Sequence, residues 1–97
     1  MAHTQRSAIF LDKDGTLLDD VPFNVDPRQM RFGPGAEGAL QRLALLGMPL
    51  IVVTNQPGIG MGRLAESAML DVERRLRRMF EDCGAKLAGF YYCPHHP

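Results

Sequence analysis

The chain has 97 residues, 45% of them apolar and 23% charged, with eleven basic side chains balancing eleven acidic ones. That length supports one small domain and not two. The even charge provides no field to gather nucleic acid or an anionic membrane, and no apolar run approaches the roughly eighteen residues of a membrane span.

The first twelve residues, MAHTQRSAIFLD, lack the apolar stretch of a secretion signal, and two cysteines, Cys83 and Cys93, do not make a disulfide framework. Both features suit a reducing, cytoplasmic setting. The continuous apolar run SAIFL, residues 7–11, reads as a fully buried strand that stops at DKDGT. Residues 19–35, with three prolines and no period, read as a long structured loop. Apolar residues at 36, 39, 40, 43, 44 and 46 have helical spacing, and Gly47 supplies a C-terminal cap. MPLIVVTN, residues 48–55, is a second buried strand rich in β-branched residues. QPGIGMG turns the chain into a helix over about 64–83, with its apolar stripe at 65, 68, 69, 72, 76, 79, 80 and 83. Arg74, Arg75, Arg77 and Arg78 fall largely on the other face, and Gly84 ends the helix. LAGFYY, residues 87–92, is the third strand. Strands about forty residues apart with helical crossovers predict an α/β fold with a parallel sheet. In such a sheet ligands sit beyond the carboxyl ends of the strands, where DKDGT and TNQPGIGMG both fall.

Asp12 ends the first strand and Asp14 lies two residues on. Two carboxylates there repel unless a cation or proton lies between them, and magnesium suits oxygen ligands together with a substrate phosphate. A carboxylate can also attack phosphorus, and a second can serve the leaving alcohol as acid and the incoming water as base. Read alone, the stretch is equally a turn in which Asp12 and Asp14 cap backbone groups. An EF-hand is excluded, because with Asp12 at loop position 1 the glycine comes too early, and with Gly15 at position 6 the first ligand would be Phe10. In TNQPGIGMG, Thr54 offers a hydroxyl, Asn55 an amide, and Gly58, Gly60 and Gly62 open backbone N–H groups to a phosphate. It is neither a Walker loop nor a dinucleotide fingerprint, and by itself it also reads as a flexible turn. Arg63 is either an anion contact or a solvated side chain. The closing stretch YYCPHHP, residues 91–97, puts Cys93, His95 and His96 close together, which is fewer ligands than a structural zinc site needs.

In combination, FLDKDGT, VVTNQPGIGMG and YYCPHHP resemble the haloacid dehalogenase superfamily of phosphatases. Within it they look like the group of histidinol phosphatases and D-glycero-D-manno-heptose 1,7-bisphosphate phosphatases. The resemblance implies a three-layer, Rossmann-like parallel sheet, of which residues 1–97 hold about three strands with crossover helices as the N-terminal part of a single domain. It implies Asp12 as the nucleophile that becomes phosphorylated and Asp14 as the acid and base, with the Asp14 backbone carbonyl on magnesium beside the Asp12 carboxylate. It gives Thr54 and Asn55 the transferring phosphoryl group, and Gln56, Asp20 and Phe23 the sugar or its second phosphate. Cys93 and His95 would ligate a structural zinc; His96 would not, and Cys83 is core. The substrate is then a small phosphorylated molecule, most nearly heptose 1,7-bisphosphate from the loop DDVPFNVDP, with histidinol phosphate as the alternative. A reading of another class is a non-catalytic module that binds phosphate or pairs with another chain.

Members of that group carry a lysine, a late acidic residue and a C-x-C pair beyond the cysteine-proline-histidine motif. The expectation is therefore an N-terminal half of a longer phosphatase, inactive by itself. Its first strand would keep an open edge able to pair with another chain or with the missing half.

Overall fold

Three apolar segments pair in parallel in the order β1-β2-β3: β1 (Ile9–Asp12), β2 (Leu50–Asn55) and β3 (Leu87–Cys93). This computed structural model describes residues 7–14, 17–18, 26–62 and 65–94. The connections carry α1 (Ala36–Ala44), the single-turn helix α2 (Pro57–Gly60) and α3 (Ala68–Asp82). The strand–helix alternation matches the apolar periodicity of the sequence.

The register sets Phe10 beside Ile51, Leu11 beside Val52, and Val53 beside Tyr91. Side chains alternate across a strand, so Ile9, Leu11, Leu50, Val52, Phe90 and Tyr92 share one face and join the core. Phe10, Ile51, Val53 and Tyr91 fall on the other. Phe10 is 64% exposed and Tyr91 63%, because no described element packs over that face.

The core is built chiefly from α3. Met69, Val72, Leu76, Met79 and Phe80 recur at helical spacing and are all buried. Each such side chain contributes roughly 1.5–3 kcal/mol of burial, which is what holds the helix on the sheet. Its end follows from Gly84, whose φ of 84° is the left-handed conformation that glycine adopts without strain. Arg77 is not simply a solvated charge. Its guanidinium donates to the Leu87 carbonyl at 2.7 Å and to Glu73 at 2.8 Å, tying α3 to the start of β3.

Both long helices are shorter than their sequence stripes. At the end of α1, Leu45, Leu46 and Gly47 donate to carbonyls three residues back, and α3 is entered through the same three-residue bonds from Ala68, Met69 and Leu70. A tightened turn no longer has the α-helical period. Leu46 therefore swings off the stripe and is 59% exposed.

Within the stretch expected as a loop, residues 19–25 lie outside the described residues, while 26–35 are folded onto the core. The Asp26 carboxylate accepts the Arg28 backbone N–H at 3.0 Å and caps a 3-10 turn at Pro27–Gln29. The Arg28 guanidinium also donates to that carboxylate and holds its pKa below the ordinary value. Met30 is completely buried, and Phe32 bridges antiparallel to Leu18 just past the DKDGT turn.

Candidate active site

The carboxyl ends of β1 and β2 lie side by side, with Asp12 in register with Val53. That pairing brings DKD and TNQ together although they are 42 residues apart at Asp14 and Gln56. The turn after β1 is fixed by its backbone. The Lys13 N–H donates to the Val53 carbonyl at 3.2 Å, Leu17 to the Asp12 carbonyl at 3.2 Å, and Leu18 to the Lys13 carbonyl at 2.8 Å.

Asp12 is exposed at the end of its strand. The Asp14 carboxylate is taken up by side chains as well as by the turn. Its Oδ2 accepts the Gln56 amide at 3.2 Å, and its Oδ1 lies 3.0 Å from the Lys13 ammonium. That second contact is an ion pair without the direction of a hydrogen bond, and among the described residues no hydrogen-bond donor reaches this buried Oδ1. Thr54 is buried, and its hydroxyl accepts the Gln56 amide at 3.1 Å. Asn55 is exposed at the strand end, beside Cys93 in register.

Gln56 lies inside the site, 3% exposed. Its backbone N–H donates to the Cys93 carbonyl at 2.8 Å, and Gly60 donates to the Pro94 carbonyl at 2.8 Å. The end of β3 therefore braces the turn that follows β2. Farther along the same rim the Tyr92 hydroxyl donates to Glu66 at 2.9 Å. That hydrogen bond raises the Tyr92 pKa, because losing the proton would set two anions face to face.

The expected site residues thus divide. Asp12, Asp14, Thr54, Asn55 and Gln56 come together, while Asp20, Phe23 and His95 lie outside the described residues. Lys13 was not singled out from the sequence, yet its side chain is completely buried. The signal was present in strand parity: 13 follows 9 and 11, which face the helix-covered side.

The Asp12 carboxylate and the Asp14 backbone carbonyl, at the end of β1, are hard oxygen donors. Magnesium usually takes one or two protein carboxylates and fills its shell with water and phosphate, so the donor set fits it. Zinc is different. Cys93 is a free, exposed thiol, and no group of three His, Cys, Asp or Glu side chains stands ready for a metal among the described residues. One thiol by itself is not a zinc site.

No protein-family model matches the chain. It is similar to D-glycero-beta-D-manno-heptose-1,7-bisphosphate 7-phosphatase of Pasteurella multocida, 42% identical over 91 residues, which are 94% of this chain and 50% of that protein. The protein of the same name from Escherichia coli K12 is 38% identical over 90 residues, covering 93% of this chain and 47% of its own length. Among solved structures, the D,D-heptose 1,7-bisphosphate phosphatase of B. bronchiseptica, crystallised with magnesium and phosphate, superposes with a TM-score of 0.81 at 26% identity. That match covers 93% of this chain and 51% of the other. The chain spans about half the length of the curated relatives it matches. The haloacid dehalogenase-type resemblance carried by the three motifs is thus met in both sequence and fold. Among the described residues no helix is long and apolar enough to cross a membrane.

Proposed function

We propose that this chain carries the nucleophile, the acid–base group and the phosphate-holding residues of a magnesium-dependent phosphomonoester hydrolase acting on D-glycero-D-manno-heptose 1,7-bisphosphate. The observation that carries the reading is the junction of the two motifs, in which Gln56 links Asp14 to Thr54 at the ends of adjacent strands. The names of the relatives support the substrate, and the neighbour bound to magnesium and phosphate supports the cofactor.

The proposed chemistry is a double displacement at phosphorus. The Asp12 carboxylate forms a bond to phosphorus as the bond to the sugar oxygen breaks, and Asp14 gives that oxygen a proton. Asp14 then takes a proton from water, which attacks the aspartyl phosphate and returns Asp12 with free phosphate. Thr54 and Asn55 hold the phosphoryl oxygens in line with the attack. Magnesium, held by the Asp12 carboxylate and the Asp14 backbone carbonyl, would offset the charge on the phosphoryl oxygens. Lys13 places a buried ammonium beside Asp14 and partly balances the local negative charge. The free thiols Cys83 and Cys93 suit the cytoplasm as the place of the reaction. In a protein twice this length, the open sheet face and the outer edge of β1 are where further chain would pack.

The test is phosphate release by the complete gene product from heptose 1,7-bisphosphate and, for comparison, from histidinol phosphate. Preference for the sugar, loss of turnover on chelation of magnesium, and loss in Asp12→Asn are expected. Turnover that survives Asp12→Asn would remove Asp12 as nucleophile, and a preference for histidinol phosphate would replace the substrate.

A further inference from the structure

Gln56 was expected to face the sugar, but it is 3% exposed and both hydrogens of its amide nitrogen are engaged inside the protein, on Asp14 Oδ2 at 3.2 Å and on Thr54 Oγ1 at 3.1 Å. The residue is itself immobilised. Its backbone N–H donates to the Cys93 carbonyl at 2.8 Å, and its carbonyl accepts from Ile59 at 3.2 Å.

Asp14 sits on a turn, and an aspartate side chain there has two rotatable bonds. Proton transfer to an alcohol and from a water needs the carboxyl held within hydrogen-bond reach of each in turn. Among the described residues Asp14 has one neighbour on each oxygen, Lys13 on Oδ1 and Gln56 on Oδ2, and both bear on the plane of the carboxyl. Of these two, only the Gln56 contact is a directed hydrogen bond. The same planar amide reaches Thr54, so one rigid group fixes the proton-transfer carboxylate relative to the phosphoryl-holding hydroxyl. Such relative placement is worth large factors in rate, since about 1 Å of misplacement can cost a hundredfold.

We propose that Gln56 is a positioning residue for Asp14 and does not contact the sugar; the proposal rests on the phosphatase reading above. Gln56 acts through Asp14, and its backbone is held in turn by the end of β3. The variant Gln56→Met keeps length and volume and removes both donors. Gln56→Glu keeps the shape and faces one carboxylate with another.

The experiment uses the complete enzyme and two substrates, heptose 1,7-bisphosphate and phenyl phosphate, which has no sugar. For Gln56→Met, kcat should fall about ten- to a hundredfold on both, with KM within about threefold. Gln56→Glu should fall at least as far. In an Asp14→Asn background, Gln56→Met should change the residual kcat by less than about twofold, because the group it positions is already gone. A raised KM for the heptose with unchanged turnover of phenyl phosphate would make Gln56 a sugar contact and overturn the proposal. So would an equal fold-loss with and without Asp14. If Gln56→Met does not fold, Gln56→Glu is read by the same two measures. A wild-type enzyme inactive on both substrates, or an active Asp12→Asn, overturns the phosphatase reading itself and this proposal with it.

Discussion

Replacing Thr54 by valine tests the hydrogen-bonded junction without any assay of activity. Thr54 is 7% exposed and Gln56 3%, so water does not easily replace a lost partner. Thr54→Val keeps the β-branched shape of a central strand and removes only the acceptor at 3.1 Å from the Gln56 amide. A buried donor left unsatisfied costs about 1–3 kcal/mol. The new methyl group returns roughly 0.8 kcal/mol of apolar burial. The net expectation is a loss centred near 1 kcal/mol and reaching about 2 kcal/mol, and each kcal/mol is roughly 4–8 °C in Tm for a domain of this size. Urea denaturation followed by far-UV circular dichroism measures it. Gln56→Leu removes the other partner, and the double variant should cost less than the sum of the singles by about 1 kcal/mol. On the Asp14 side the loss is milder, because that side chain is 24% exposed and water can substitute. A Thr54→Val protein as stable as the parent, or strictly additive losses, would refute the junction.

Two further outcomes follow from burial. Phe80 is completely enclosed between α3 and the sheet, and Phe80→Ala should cost about 3–5 kcal/mol by transfer and cavity terms. That is much of the stability of a small domain; a urea midpoint that moves by less than the equivalent of about 1 kcal/mol would show that the side chain is not core. Burial, and secondly the charge of Glu37, raises the pKa of the Cys83 thiol, whose S–H donates to the Phe80 carbonyl at 3.2 Å. With a folded pKa above the unfolded one, the folded state holds this proton more tightly. The contribution is complete below the unfolded thiol value of about 8.5 and is lost as pH rises through the folded value. Stability should therefore fall as pH rises above about 8.5 by more in the parent than in Cys83→Ala. In the native protein a thiol reagent should modify exposed Cys93 well before Cys83, and equal rates would contradict the burial.

Much of the site was legible in the chain because its parts are local. An aspartate pair after an apolar run and a T-N-Q after a second one are placed by strand ends, and strand ends are marked by where apolar residues stop. Core positions in α3 were legible for a similar reason, since helical period alone selects Met69, Val72, Leu76, Met79 and Phe80. The helix ends were less so. Whether Leu46 continues a stripe or leaves it depends on a three-residue turn whose energy differs little from the α-helical one.

The sequence by itself determined the α/β alternation, the strand ends where the polar motifs fall and the chemistry available there, because these depend on residue type and short-range spacing. Tertiary structure alone decided how those groups face one another. Parallel pairing in register put Asp14 within reach of Gln56 across 42 residues, turned Lys13 into the protein instead of toward solvent, and set the end of β3 against the backbone of Gln56. Such contacts depend on register and strand order, which residue spacing does not encode, so an amide expected to face a substrate is instead held inside the site between Asp14 and Thr54.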